Sequence, residues 1–184
     1  MSWSDLVQTD NRAYARRLMA QEKMTISDEA TLTVDSNEDI PLPGQSVIYG
    51  ADFEQLPPPG EFFTGKILLE GGTLHAIASK KKQTYAIWNY QTYSPEITIK
   101  NTNLIFDNYY MVVYFKNGIL NISSDKGKGI TLNDVDYGFA LYGDSKVILQ
   151  NLKTSFNNIN YQGFYITDNA NLNINEGIVA FSNK

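Results

Sequence analysis

Beyond Pro95 the chain repeats one texture, short runs in which apolar and polar residues alternate. Glu96-Ile97-Thr98-Ile99-Lys100, Ile119-Leu120-Asn121-Ile122, Lys146-Val147-Ile148-Leu149-Gln150 and Asn171-Leu172-Asn173-Ile174-Asn175 share this pattern. Their second or equivalent apolar residues, Ile97, Leu120, Val147 and Leu172, are 23, 27 and 25 residues apart. A period of two predicts strands with one buried face. A second run recurs at Leu104-Ile105-Phe106, Ile130-Thr131-Leu132, Thr154-Ser155-Phe156 and Val179-Ala180-Phe181. A third recurs at Val112-Val113-Tyr114-Phe115, Phe139-Ala140-Leu141-Tyr142 and Phe164-Tyr165-Ile166-Thr167. Aligning Val112, Phe139 and Phe164 places each eight residues before the next first strand.

Three strands in every repeat of roughly 25 residues is the pattern of a solenoid. The fold class it predicts is all-β, a parallel β-helix whose coils bury their inward residues against the coils above and below. A barrel would instead need a hairpin turn between neighbouring strands, and the repeat would be accidental. Corners of such a coil need residues that tolerate left-handed backbone, which Asn and Gly do. Sixteen of the 18 asparagines lie between residues 89 and 183, where the repeats are.

Upstream the pattern weakens. Residues 2 to about 22 carry no Gly or Pro, and Leu6, Val7, Tyr14, Leu18 and Met19 can share one broad face. With Ser2 and Asp5 as a weak capping box, this predicts an N-terminal helical cap over residues 1–24. Residues 25–95 read as irregular first coils, broken by Pro57-Pro58-Pro59-Gly60, and residues 96–184 as regular coils of one domain. The last strand-like run, Val179-Ala180-Phe181, lies three residues before Lys184. An open solenoid end is an aggregation hazard, so the native chain is expected to continue or the end to be covered, with self-association through solenoid ends as one outcome.

Composition narrows the partners. The net charge of −5 argues against nucleic acid or an anionic membrane, since both call for a basic face. No run reaches the length of a membrane span, and the first residues do not read as a signal peptide. With no cysteine, disulfides and thiolate metal sites are excluded.

Ser2-Trp3-Ser4-Asp5-Leu6-Val7 opening a helix, followed by Ile97-Thr98-Ile99-Lys100-Asn101, resembles the pectate-lyase-like adhesive domain of Gram-positive surface proteins. The aromatic–glycine steps Asp136-Tyr137-Gly138-Phe139 and Tyr161-Gln162-Gly163-Phe164 add to the likeness. The resemblance implies a right-handed β-helix and a non-catalytic adhesion module, secreted or on a bacterial cell surface. Its partner would be a glycan or a host or matrix protein. Related folds carry polysaccharide lyases and glycosidases, and a structural stalk or tail-fibre segment is a further alternative.

Candidate chemistry is sparse. Lyases of this kind need carboxylates around Ca²⁺ and a base. Asp144 and Asp168 fall at nearly the same corner of adjacent coils, as diagonal neighbours that could share a calcium ion, although both also read as turn residues. Asp107, Asp134 and Asp136 read as bends. His75, the single histidine, reads as structural, because one imidazole is a poor metal site. Aromatic residues are the stronger signal. With Val112, Phe139 and Phe164 facing inward, Phe115, Tyr142 and Tyr165 form a staggered outer patch bordered by Lys116. Such a patch can stack on sugar rings or pack on a protein. Lys126 and Lys128 sit in the longer loop of the second regular coil and read as solvated charge.

Overall fold

A computed structural model describes residues 23–36, 48–49, 66–78, 84–89 and 94–183. The strands there are β1 (Lys23–Thr25), β2 (Thr31–Ser36), β3 (Ile48–Tyr49), β4 (Lys66–Glu70), β5 (Thr73–Ala78), β6 (Tyr85–Asn89), β7 (Glu96–Lys100) and β8 (Asn103–Asp107). They continue with β9 (Met111–Lys116), β10 (Ile119–Ser123), β11 (Gly129–Tyr142), β12 (Lys146–Gln150), β13 (Lys153–Ile166), β14 (Asn171–Asn175) and β15 (Ile178–Ser182). Every pairing is parallel, and the strands stack as a β-solenoid.

The first face has the order β1-β4-β7-β10-β12-β14. The second stacks β2, β5, β8, the first half of β11, the first half of β13, and β15. The third stacks β3, β6, β9 and the second halves of β11 and β13. In two coils the predicted second and third strands are therefore one 14-residue strand. Each bends where Asp134 or Asn158 takes φ of 53° or 58°.

The period-two pattern becomes columns of side chains about 4.8 Å apart along the axis. Ile67, Ile97, Leu120, Val147 and Leu172 form one, and Leu74, Leu104, Ile130, Thr154 and Val179 another. Most are fully buried, and each aliphatic side chain so buried contributes about 1.5–3 kcal/mol. Ile174 and Phe181 continue the inward columns but are 40% and 59% exposed, because no coil among the described residues lies over them.

Two expectations change. Among the described residues there is no helix. The cap predicted over residues 2–22 lies outside them, while Lys23 and Met24, assigned to that cap, pair with Leu68 and Leu69 as strand. Met24 is a core residue because its strand lays it beside Leu69 on the inner face.

The second change is one residue of register in β9. Phe139 lies beside Val113 rather than Val112, and Leu141 lies beside Phe115. Phe115 is consequently 0% exposed and belongs to the core, not to an outer patch. The cause is the corner that follows. Asn117-Gly118, with φ of 71° and 87°, joins Lys116 to Ile119 in two residues. The next corner takes three, Gly143-Asp144-Ser145, between the equivalent Tyr142 and Lys146. Equal spacing from strand to strand does not survive unequal corners, and a one-residue slip exchanges the two faces.

Candidate binding face

With the register corrected, Tyr114 takes the outer position assigned to Phe115. The outer ring column is Tyr85, Tyr114, Tyr142 and Tyr165, with centroids 5.2, 5.0 and 5.6 Å apart in sequence. Tyr110, Tyr137 and Tyr161 form a second column at 5.7 and 5.2 Å. Tyr85 joins the two through Tyr110 at 6.4 Å and stacks on Trp88 at 6.0 Å. Seven tyrosines are thus one contiguous surface. Tyr161 and Tyr165 are exposed and the rest are half-buried. Lys116 lies beside Tyr142 in the ladder, at the border of this face as expected.

Packing against one another costs these phenols solvent. Burial, with Tyr114, Tyr165, Tyr110 and Tyr85 close by, pushes the Tyr142 hydroxyl up to about 12. Tyr85 and Tyr110 are raised as well, chiefly by burial. Asp136 adds to the effect on Tyr110, which puts a carboxylate at the edge of the aromatic surface.

That edge is the bend in the long strands, and it holds a groove of about 500 Å³. One wall is the column Asp107, Asn133, Asn157 and Ser182, and the other is Asn108, Asp134 and Asn158. The first wall is a chain of hydrogen bonds. Asn133 Nδ2 donates to Asp107 Oδ1 (2.7 Å), Asn157 Nδ2 to Asn133 Oδ1 (2.8 Å), and Ser182 Oγ to Asn157 Oδ1 (2.7 Å). His75 Nε2 meets Asp107 Oδ2 at 2.6 Å and extends the chain by one more coil. Asn158 donates to Asp134 Oδ1 (3.1 Å), and Asn160 to Asp136 Oδ1 (2.6 Å). Each side chain recurs once per coil, so amide and carboxylate groups run along the axis beside the tyrosines.

Asp144 and Asp168 do sit at adjacent corners, aligned with Asn169 and Gly143 as the spacing predicts. Each carboxylate is engaged by the corner of the adjacent coil: Asn169 Nδ2 donates to Asp144 Oδ1 (3.0 Å), and the Gly143 N–H donates to Asp168 Oδ2 (3.1 Å). Among the described residues, no group of three or more His, Asp or Glu side chains is placed to hold a metal ion. Lys126 is paired with Asp28 at 2.9 Å, and this holds the Asp28 carboxyl below its ordinary value. Their separation of 98 positions hides that pair from any local reading.

Sequence reasoning therefore placed Tyr142, Tyr165 and Lys116 on or beside this outer face but did not place Tyr85, Tyr110, Tyr114, Tyr137 and Tyr161 there. A usable signal was present. Tyrosines 110, 137 and 161 recur at 27 and 24 residues, and 114, 142 and 165 at 28 and 23, both at the coil period. The groove gave a weaker signal, because its asparagines look the same as corner asparagines until the register is known.

The fold and this face define a parallel β-solenoid with an aromatic and amide-lined outer flank. No protein-family model matches the chain, and neither a curated protein nor a solved structure is significantly similar to it.

Proposed function

We propose that this chain is a non-catalytic binding module that holds a glycan against its outer flank, with the sugar chain parallel to the solenoid axis. The observation that carries this reading is the contiguous surface of seven tyrosines, with neighbouring rings 5.0–6.4 Å apart. A solenoid does not need aromatic rings on its outside to fold, and ring faces suit the apolar faces of sugars. The adjoining groove supplies amides and carboxylates for the hydroxyls. The resemblance to pectate-lyase-like adhesive domains supports a right-handed winding, as does the crossover rule. It also supports placement at a cell surface or outside the cell.

The test is a screen on glycan and matrix-protein arrays with the native chain and a Tyr114→Ala/Tyr142→Ala double variant. Glycan binding that the variant loses, with its melting temperature little changed, supports the reading. Binding to matrix protein alone would replace the glycan with a protein partner. No binding on either surface would sink the module.

One observation favours a second reading, a polysaccharide-cleaving enzyme. The imidazole–carboxylate pair of His75 and Asp107 stands at one end of the groove wall, and such pairs can move protons. New reducing ends released from a polysaccharide panel, and lost in Asp107→Asn, would favour that reading.

A further inference from the structure

The tyrosines that form one surface are also groups that oxidation can join. The chain has no cysteine, so no disulfide can tie one coil to the next. Phenol rings offer a different bond. One-electron oxidation of a tyrosine removes an electron and the hydroxyl proton. The radical left behind is shared between the oxygen and the ring carbons ortho to it, and two such rings in contact join at those carbons.

The solenoid brings tyrosines from distant places in the sequence into such contact. Tyr114 and Tyr142, 28 residues apart, have ring centroids 5.0 Å apart and planes at 38°. Tyr137 and Tyr161 stand at 5.2 Å and 19°. Tyr85–Tyr114, Tyr110–Tyr137 and Tyr142–Tyr165, at 5.2, 5.7 and 5.6 Å, likewise join neighbouring coils. All lie within the range of direct ring contact. Because the rings are chemically alike, a radical on one can pass to its neighbour by electron transfer. Tyr161 is 67% exposed and open to an oxidant in solution. Two oxidising events anywhere in the array can therefore meet on neighbouring rings. Held in place, such a pair couples within the molecule in preference to coupling between copies.

We propose that the tyrosine array is a site of oxidative cross-linking, where a peroxidase with hydrogen peroxide joins tyrosines of adjacent coils into dityrosine, Tyr114 to Tyr142 first. These two have the closest ring centroids of the column. Each ring gives up one electron and its hydroxyl proton. The two radicals form one carbon–carbon bond between ortho carbons. The hydrogens on those carbons then move as protons to the two oxygens, which restores both aromatic rings and both phenols. The two electrons and two protons released reduce one peroxide to two waters. The product is a covalent staple between coils, and closing so long a loop in the unfolded chain favours the fold. The proposal stands apart from the glycan-binding reading, since it uses the contacts between rings and not their free faces.

The experiment treats the dilute native chain with a peroxidase and limiting hydrogen peroxide. Fluorescence reads dityrosine, a denaturing gel reads chain size, and mass spectrometry of a tryptic digest reads the joined residues. The same treatment is applied to Tyr142→Phe and Tyr114→Phe, which keep a ring and lack a phenol, and to the native chain in urea. The expected product is a monomer lighter by two hydrogens, with Tyr114 joined to Tyr142 and a raised urea midpoint. Either variant should lose that link and keep links of the second column, such as Tyr137 to Tyr161. In urea the links should scatter over the chain's other tyrosines, Tyr14 and Tyr93 among them. No dityrosine, dityrosine confined to dimers, or the same links from the native and the unfolded chain would overturn the proposal.

Discussion

Asparagine does two separate jobs in this chain, and they respond differently to substitution. Asn101, Asn108, Asn117, Asn151 and Asn158 hold left-handed backbone at corners, where a β-carbon on most other residues costs about 1–2 kcal/mol. Asn133 and Asn157 are extended and act through their side-chain amides instead. Asn101→Ala strains its corner and strips the acceptor from the Asp125 N–H, so the urea midpoint should fall by the equivalent of about 2 kcal/mol. Asn133→Ala leaves the backbone at ease and breaks the ladder in its middle, at a cost of about 1–2 kcal/mol. Urea unfolding of the two variants separates the jobs: the Asn101 deficit should persist in Asn101→Asp, which keeps an acceptor but tolerates the corner less well than Asn, only in part. Tyr142 gives a residue-scale test in pH. Its hydroxyl is pushed up to about 12, against about 10 in the unfolded chain. Between those values the unfolded chain has released its proton while the fold retains it, so the stabilising contribution is complete below pH 10 and is lost as pH rises toward 12. Absorbance titration at 295 nm should show a late tyrosine that Tyr142→Phe removes.

At the scale of the element, the alternating runs were legible and the corners were not. Ile97, Leu120, Val147 and Leu172 do stack as their spacing predicts, because apolar alternation is imposed by a buried face. The second strands stack correctly as well. β9 failed because Met111-Val112-Val113-Tyr114-Phe115 is apolar throughout and carries no alternation to fix its phase. Only the length of the next corner fixes it. The consequence is sharp: Phe115→Ala empties a fully buried site and should cost about 3–5 kcal/mol, whereas Tyr114→Ala should leave the fold near native stability and weaken binding. Thermal melts of the two variants decide the register. The aromatic–glycine steps have a packing reason of the same kind. A β-carbon at Gly138 would stand 2.5 Å from Phe156 Cε1, and Phe156 is a core ring packed on Phe139, Phe164 and Phe181. Gly138→Ala should therefore lower the melting temperature more than Gly127→Ala, whose β-carbon would meet nothing within 4 Å. Gly127 does hold a φ of 69°, so its substitution carries backbone strain but no clash.

Across the whole molecule, the solenoid turns one local choice into a line. A tyrosine in one coil is a single ring, but stacking sets the next coil about 4.8 Å further along the axis, and each coil adds a ring from a diagonal rather than a paired position, since Tyr114 pairs with Ala140 and Tyr142 with Lys116. From Tyr85 to Tyr165 the column crosses four coils, a length of about 14 Å. A linear ligand on such an array gains a ring contact and an amide or carboxylate partner for every coil it crosses. Affinity should therefore climb severalfold with each added sugar and level off once the oligosaccharide passes about 14 Å. A protein partner would instead bind as one patch. Titrating a ladder of oligosaccharides of increasing length distinguishes these cases, and Tyr165→Ala sharpens the result. Removing the ring at one end of the column should shorten the plateau by one step and spare the short ligands. A uniform loss at every length would mean that the rings act as a single hydrophobic patch and that the axial arrangement has no part in recognition.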